Sequence, residues 1–330
     1  MEEILKRKNN ETDFEYKVRL CIAKLNKEID LDWIEIVDLL GLDCSSDHLR
    51  KLSYGYKEFE EHIVTKSLSK SDKVKVLVMN DIHLPHQRED IFDELRKNKN
   101  IDYLIFAGDL IDCESCSSFD VMDRPSVDEE LVVAHEFINK INKIIDSNKT
   151  QIICIRGNHE ERYTRDIIRM QKKQLQRMLN PNLLKMIQDG FTVYNKGKRH
   201  KYDPISNFKY IDDWKVKLFD NLIICHPKDF SGVDGKMCEK VSEHFLNRHM
   251  AELDDVIIFG HTHKHSRMNV NRRQGIYVIE NSCMCKPHDY ADTGKLGYNP
   301  QNYGYTYLEF EKGKKIDIND IKCVVLKELH

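Results

Sequence analysis

Five short apolar segments of this 330-residue chain each lead into polar residues that could bind metal ions or move protons. The segments are KVLVMN (75–80), YLIFAG (103–108), QIICIRG (151–157), NLIICH (221–226) and DVIIFGH (255–261). The polar residues at their ends are, in chain order, Asp81, His83, Asp109, Asp112, Asn158, His159, Glu160, His226, His261 and His263. One such group could be an ordinary turn. Five in succession, each behind an apolar run, predict a single functional site.

The chemistry of this site follows from its residue types. In open α/β sheets, sites form at the carboxyl ends of strands, so we expect all five runs to deliver their polar residues to one edge. Carboxylate, carboxamide and imidazole groups without thiolate suit Mn, Fe, Co, Ni or Zn. They are too many for one tetrahedral zinc with an open position. Two metal ions sharing a carboxylate would use them all, and such a pair, roughly 3.5–4 Å apart, suits in-line displacement at phosphorus.

The series resembles the calcineurin-like metallophosphoesterase superfamily, whose pattern is D-x-H, G-D-x-x-D, G-N-H-[E/D], H and G-H-x-H. The resemblance covers residues 75 to about 310. It implies a four-layer αββα sandwich that contains two divalent metal ions, with Mn first and Fe, Zn, Ni or Co as alternatives. The implied ligands of the first metal are Asp81, His83, Asp109 and His263. Those of the second are Asp109, Asn158, His226 and His261.

The same resemblance implies catalytic roles for two further residues. In the family, a hydroxide held between the metals attacks phosphorus, and here His159 would protonate the leaving oxygen while Asp112 orients it. His226 departs from the pattern because Cys225 precedes it, where a glycine often stands in the family. The second motif, GDLIDC, also lacks the arginine that follows it in the protein Ser/Thr phosphatases of the superfamily, which weakens a phosphoprotein phosphatase assignment.

The surrounding sequence divides into two regions. Residues 1–70 show only helical patterns, and the polar stretch 65–73 is the predicted linker. In residues 71–330, apolar runs alternate with helical stretches such as 128–145, which predicts βαβ units and an α/β fold. The later segments GIYVIENS and YTYLEFE alternate like antiparallel strands of a second sheet.

The N-terminal region has the outline of a helix-turn-helix. Apolar residues recur at helical spacing in LDWIEIVDLLGL, Gly41 offers a stop, and Ser45 or Ser46 offers the next N-cap. The region resembles small helix-turn-helix segments attached to some phage and bacterial phosphoesterases. That resemblance implies DNA contacts by Arg50, Lys51, Tyr54 and Lys57. However, residues 1–70 contain 12 Lys/Arg against 15 Asp/Glu, so a helical packing or oligomerisation module remains open.

Two features indicate a nucleic-acid substrate. The first is a stripe of cations at helical spacing after the third motif, which comprises Arg162, Arg165, Arg169, Lys173 and Arg177. Arg156 stands within the motif itself. The loop 196–210 mixes cations with Tyr202, Phe208 and Tyr210, a composition suited to phosphate contact and base stacking. A solvated helix face and an ordinary surface loop are the alternative interpretation.

These features lead to one expected function and two alternatives. The expected function is metal-dependent hydrolysis of phosphodiesters, in DNA, by a nuclease. The first alternative is a phosphomonoesterase or a nucleotide or protein phosphatase. The second is a DNA-binding regulator with a non-catalytic phosphoesterase domain.

Composition limits the setting. No apolar run approaches the roughly 18 residues needed to cross a bilayer, and the start MEEILKRKNN lacks a secretory pattern, so we expect a cytoplasmic protein without a membrane partner. Ten cysteines then indicate reduced thiols, although CESC (113–116) and CMC (283–285) could form a structural zinc site if the fold brought them together. A net charge of −3 argues against a globally basic nucleic-acid coat, and a homo-oligomer remains open.

Overall fold

The architecture was examined in a computed structural model. It describes residues 5–7, 13–25, 29–51, 53, 73–117, 124–169, 182–195, 198–252, 254–270, 275–287 and 301–328. The chain divides into two compact units, Met1–Leu68 and Ser69–His330. Across the described parts of both units, none of the helices has the length and apolar character required to cross a bilayer.

The described residues of the N-terminal unit are mainly helical. Helix α1 spans Asp13–Leu25 and α2 spans Trp33–Leu40. The Asp32 carboxylate caps α2 by accepting the backbone N–H groups of Ile34 and Glu35, and α2 ends at a left-handed Gly41. A third helical stretch covers residues 46–51, with Ser45 Oγ accepting the His48 N–H at 3.1 Å. A small core joins these segments; it contains Tyr16, Leu20, Cys21, Ala23, Ile29, Ile36 and Leu49.

The first sheet of the larger unit is a mixed sheet of six strands. Its spatial order is β13 (Ile321–Leu326), β12 (Tyr303–Glu311), β1 (Lys73–Met79), β2 (Tyr103–Phe106), β3 (Gln151–Ile155) and β6 (Phe208–Ile211). Strands β1, β2, β3 and β6 run parallel, whereas β12 is antiparallel to both β1 and β13. The carboxyl ends of β1, β2 and β3 therefore lie at one edge.

The second sheet has five strands. Its order is β10 (Ser266–Val270), β11 (Ile276–Glu280), β9 (Val256–Phe259), β8 (Leu222–Cys225) and β7 (Lys215–Leu218). The central strands β11, β9 and β8 are parallel, and the edge strands β10 and β7 are antiparallel to their neighbours. A separate hairpin consists of β4 (Phe191–Asn195) and β5 (Lys198–Tyr202).

The two sheets pack face to face with helices outside them. Successive strand residues point to opposite faces, so Ile105 and Ile258 lie in the core between the sheets, whereas Leu104 and Ile257 lie in the outer cores. Helices α3 (Ile91–Lys97), α4 (Val127–Asn142) and α6 (Leu183–Asp189) contribute to the core outside the first sheet, and α7 (Lys236–Asn247) contributes to the core outside the second. Helix α5 (Glu160–Arg169) follows β3. The predicted αββα sandwich is confirmed.

Two sequence expectations about the sheets were wrong. Both later segments do pair antiparallel, β11 (GIYVIENS) with β10 in the second sheet and β12 (YTYLEFE) with β1 and β13. However, β12 belongs to the first sheet, and β11 also pairs parallel with β9. The five motif strands also divide between two sheets, with β1–β3 in one and β8 and β9 in the other. Alternation shows that the two faces of a strand differ, but it carries no information on sheet membership or strand direction.

Asn281, which follows β11, connects the two sheets. Its side-chain N–H groups donate to Val78 O at 3.2 Å and to the Asn80 side-chain oxygen, and its own oxygen accepts the Thr306 hydroxyl at 2.8 Å. All three partners belong to β1, its end, or β12. Because these groups are buried, water cannot replace the hydrogen bonds when they are lost.

We expect Asn281→Leu to lower the free energy of unfolding by about 1–3 kcal/mol. Leucine is similar in size to asparagine, but it leaves the buried hydrogen-bond partners of Asn281 unpaired. Urea denaturation in excess chelator measures this without a contribution from metal binding. Asn319→Leu, at an exposed position, is the control. Equal stability of the two variants would contradict a role for Asn281 in joining the sheets.

Candidate metal centre

The predicted ligands follow directly after β1, β2, β3, β8 and β9, and several have unusual backbone conformations. Five of them have positive φ; the values are 51° for Asp81, 49° for His83, 51° for Asp109, 89° for His261 and 57° for His263. Non-glycine residues rarely adopt this region, and each instance costs on the order of 1–3 kcal/mol. Such strain at the ends of strands is typical of a functional site.

Three glycines allow the motif loops to approach one another. A Cβ on Gly157 would collide with the carboxylate and backbone nitrogen of Asp109, and one on Gly108, whose φ is 87°, would collide with the His226 ring. A Cβ on Gly260 would lie 2.9 Å from Asp81 Oδ2. Glycine is therefore required where the loops of different strands meet.

The first group of possible metal ligands comprises Asp81, His83 and Asp109. One ligand atom from each lies within 4.8 Å of the others, and all three side chains are buried. His263 Nε2 lies 3.2 Å from His83 Nε2 and 3.5 Å from Asp81 Oδ1, so His263 faces the same point. These are the four ligands predicted for the first metal.

The second group comprises Asp109, His226 and His261. His226 Nε2 lies 3.2 Å from Asp109 Oδ2 and 3.0 Å from Asn158 Oδ1, so the carboxamide of Asn158 belongs with it. Cys225, which stands where the family often has a glycine, does not displace His226. The contact of His226 Nδ1 with Ala107 O at 2.7 Å fixes the ring.

Asp109 is common to both groups, and this donor set fits a pair of divalent ions that share one carboxylate. Asp81, His83 and His263 would hold one ion with Asp109. Asn158, His226 and His261 would hold the other. When bound, such a pair supplies Lewis-acid chemistry to a phosphate ester.

The electrostatics of the cluster keep its carboxylates ionised. Burial alone would raise the pKa of Asp81 and of Asp109, but neighbouring histidines, His263 for the former and His226 for the latter, hold each pKa below its usual value. Burial opposes the charged form of His226, yet Asp109 raises its pKa to about 9. Burial and then His226 lower the pKa of His261 to about 4. Anionic oxygens and neutral imidazoles are the forms that bind metal.

Asp112 holds His159 against the cluster. The Asp112 carboxylate lies 2.7 Å from His83 Nδ1 and 3.1 Å from His159 Nδ1, and its backbone oxygen lies 2.7 Å from the same His159 nitrogen. The opposite nitrogen, His159 Nε2, is 3.8 Å from Asp109 Oδ2. Burial would lower the pKa of His159, but Asp109 and Asp112 raise it above the usual value. His159 is therefore positioned to carry a proton beside the shared carboxylate.

The four predicted substrate-binding arginines have different positions. Arg162 reaches the cluster, where its guanidinium donates to His159 Nε2 at 2.8 Å and to Asp112 O at 3.0 Å. Arg156 pairs with Asp212 at 2.9 Å, and its role in substrate binding stays a prediction. Arg165 and Arg169 are exposed on α5, and Arg169 lies 3.7 Å from Asp166. Lys173 and Arg177 lie outside the described residues.

The predicted stacking residues of the loop 196–210 are engaged in packing. Phe208 is 1% exposed within the core of the first sheet, and Tyr202 stacks on Phe191 with ring centroids 4.7 Å apart. Tyr210 packs against the same core. The expectation that they stack on bases was wrong, because the aromatic residues of this segment face inward while Lys198, Arg199 and Lys201 are exposed.

In the N-terminal unit, two of the four predicted DNA contacts can be placed. Arg50 and Lys51 are exposed and both pair with Asp47, at 2.6 and 2.9 Å. Tyr54 and Lys57 lie outside the described residues.

Glu160 is a functional residue whose role the sequence analysis missed. Its buried carboxylate accepts the backbone N–H groups of Leu110 at 2.7 Å, Gly157 at 2.9 Å, Ile111 at 3.1 Å and Asp109 at 3.2 Å. It thus ties the second motif to the third. Burial, and after it Asp109, raise the pKa of Glu160 to about 7. The available signal was its place in the third motif, directly after His159.

Cys285 and Gln301 were also missed. Cys285 Sγ lies 3.8 Å from His263 Nδ1, and the Gln301 side-chain amide lies 2.5 Å from the same atom. Cys285 also falls within ligand range of His83 and His263, which corrects the expectation of a site without thiols. The possible metal groups in the described parts of the chain include neither Cys113 nor Cys116, so they do not support a zinc site joining CESC to CMC.

Gln301 supports His263 through the nitrogen that faces away from Asp81. A histidine that binds metal through Nε2 carries its proton on Nδ1 and donates it to a neighbouring acceptor. The Gln301 side-chain nitrogen lies at this position, and a half-turn of the amide would place its oxygen there as the acceptor. Gln301 lies 38 positions after His263 in the chain, so no spacing in the sequence indicates this contact.

We expect Gln301→Leu to weaken metal binding at the first group by about 10- to 100-fold, since the orienting bond to His263 is lost. Isothermal titration with Mn²⁺ measures the affinity. Gln151→Leu, which removes a comparable amide bond to Asn207 O at the start of β3, is the matched control. Unchanged affinity in Gln301→Leu would show that His263 needs no such support.

One comparison with known proteins identifies the family. Residues 74–265 match the model of the family described as calcineurin-like phosphoesterase. No curated protein matches the chain.

Solved structures with similar folds include three at low identity. A novel archaeal phosphodiesterase is 16% identical, with 77% of this chain and 100% of that chain covered and a TM-score of 0.31. The phosphoesterase Yfce from E. coli is 17% identical, with 76% and 97% covered and a TM-score of 0.32. A metallophosphoesterase from Sphaerobacter thermophilus is 10% identical, with 78% and 89% covered and a TM-score of 0.37.

These global similarities are weak, and the assignment rests on the family match, which spans more than half of the chain and contains all seven predicted metal ligands. The chain belongs to the calcineurin-like phosphoesterase family.

Proposed function

We propose that this chain hydrolyses phosphodiester bonds, with DNA as its substrate. The observation that carries the proposal is the position of His159, whose Nε2 lies 3.8 Å from the carboxylate oxygen of Asp109 shared by the two ligand groups. A phosphate bound at a metal centre that includes that carboxylate would have its leaving oxygen beside an imidazole. Cleavage of a diester produces an alkoxide, which needs a proton from such a group.

The residues around His159 suit proton donation. Both atoms near its Nδ1 are oxygens of Asp112, so Nδ1 carries a proton and the ring orientation is fixed. Arg162 donates to Nε2 in the present arrangement. Before Nε2 can donate, Arg162 must leave it and Nε2 must take up a proton from solvent, which the raised pKa of His159 favours. A bound phosphate offers the guanidinium a better partner. Arg162 would thus give up its hydrogen bond to His159 and bind the substrate phosphate instead.

Exposed cations support a polyanionic substrate. Helix α5 begins immediately after His159 and presents Arg165 and Arg169 to solvent. Cations at regular spacing along a surface neutralise the phosphates of a nucleic-acid strand and release its counterions. The N-terminal unit would add to this binding through Arg50 and Lys51, although both are paired with Asp47.

A second candidate function, hydrolysis of phosphomonoesters, is favoured by one observation. The sequence lacks an arginine after the second motif, but Arg162 of α5 reaches the end of that motif and donates to Asp112 O at 3.0 Å. A guanidinium there could hold the extra negative charge of a terminal phosphate. The choice between the two functions depends on the substrate that is cleaved.

We expect the protein with Mn²⁺ to hydrolyse bis(p-nitrophenyl) phosphate faster than p-nitrophenyl phosphate, and to cleave labelled DNA. His159→Ala should reduce turnover by about 10²- to 10⁴-fold, the usual contribution of a general acid, with bound metal unchanged. His200→Ala, at an exposed position on β5, is the control. Cleavage of the monoester alone would favour the second candidate, and an active His159→Ala variant would refute the role of His159.

We also expect the double variant Arg165→Glu and Arg169→Glu to cleave DNA at least several-fold more slowly at low salt, because it replaces attraction by repulsion along the strand. Its rate on bis(p-nitrophenyl) phosphate should stay unchanged. The double variant Arg96→Glu and Lys149→Glu, at two exposed cations outside α5, makes the same change in net charge and is the control. Equal loss in both charge-reversal proteins would attribute the effect to overall charge, and no loss would exclude α5 as the DNA-binding surface.

A further inference from the structure

A pocket of about 320 Å³ lies beside the second ligand group. It is bounded by α7 and by the residues before β7 and after β8. Its lining includes Trp214, Met237, Val241 and Phe245, and it also includes His226, one of the predicted metal ligands. The pocket therefore adjoins His226, which would hold the second metal ion.

Trp214 is held in place as part of this wall. Its ring lies 5.7 Å from that of Phe245 and 5.6 Å from that of His244, between centroids, and its backbone oxygen accepts the His226 N–H at 2.7 Å. The indole is only partly buried, which leaves part of its surface open to a ligand. Because the same backbone bond joins Trp214 to His226, the position of the indole is tied to that of the metal ligand.

The shape and chemistry of the pocket indicate a flat ring with a polar edge. A volume near 320 Å³ is at the lower end for small-molecule sites, so it accommodates one ring system rather than a length of chain. Apolar side chains and an indole favour a stacked aromatic ring. Lys228, Lys240 and Asp229 also line the pocket and are exposed. Lys228 pairs with Glu161, whereas the Lys240 ammonium can bind oxygens at the edge of such a ring or on a phosphate.

We propose that this pocket binds the base of a nucleotide whose phosphate lies at the carboxylate of Asp109. The proposal rests on the proposed function, and it adds that a base next to the scissile phosphate is recognised by stacking on Trp214. Every base has a π face, so a site of this kind accepts different sequences. Trp214 would be a specificity residue that distinguishes nucleotides from other phosphoesters.

Tryptophan fluorescence tests this directly, since the chain has only two tryptophans. Trp33→Phe, in the other unit, leaves Trp214 as the single emitter. With Zn²⁺ present, adenosine 5′-monophosphate should quench its emission saturably, whereas ribose 5-phosphate should not. No quenching by the nucleotide, or equal quenching by both compounds, would overturn the proposal.

Kinetics provide an independent readout. Stacking on an aromatic ring contributes about 1–3 kcal/mol per base, so Trp214→Leu should raise KM for a dinucleotide by roughly 5- to 150-fold. The conservative variant Trp214→Phe should restore most of the loss, and both variants should bind the same amount of Zn²⁺ as the wild type. If KM stays unchanged in Trp214→Leu, the pocket is not a base site.

The failure of this proposal and that of the proposed function are distinguishable. Quenching by the nucleotide without hydrolysis of any diester would refute the function and leave the pocket as a nucleotide site. Hydrolysis of diesters without quenching, and with normal kinetics in Trp214→Leu, would refute the pocket and leave the function intact.

Discussion

The site depends on a single carboxylate, that of Asp109, which belongs to both groups of ligands. It stands at the end of β2, in the middle of the first sheet, and it meets His226 from the second sheet at 3.2 Å. A buried carboxylate surrounded by histidines is costly unless cations balance it. Two divalent ions would provide this balance, and because both groups include Asp109 the two ions would share its carboxylate.

The rest of the structure serves to hold that carboxylate in place. Gly157 is needed because any side chain there would collide with Asp109, and Glu160 accepts the backbone N–H groups on both sides of the contact. Positive φ at five ligands costs on the order of 1–3 kcal/mol each. This strain persists because buried hydrogen bonds and the packing of two sheets over-determine the loops. Local stability is thus lowered at the point where the chemistry takes place.

The candidate ligand residues could be recognised in the sequence because they follow apolar runs, whereas their assignment to two ions came from the family resemblance. The αββα sandwich was predicted through the family resemblance. The division of the motif strands between two sheets could not, because short apolar runs look alike whichever sheet contains them. Phe208 was misassigned since the burial of an aromatic residue depends on tertiary packing. Contacts such as Gln301 to His263 join residues 38 positions apart, and no local pattern records them.

The substrate depends on features of this chain rather than on the shared centre. Arg162 comes from α5, and Trp214 precedes the edge strand β7, so both lie on elements outside the ligand-bearing motifs. In our proposals, Arg162 would bind the reacting phosphate and Trp214 would stack on a ring, so the substrate would be a phosphoester with an aromatic group close to phosphorus.

The most direct test of the central claim is a crystal structure of the Mn²⁺-loaded protein with anomalous diffraction measured at the manganese edge. The account predicts two anomalous peaks, roughly 3.5–4 Å apart, with the Asp109 carboxylate between them. A single peak, or two peaks that do not share Asp109, would contradict it.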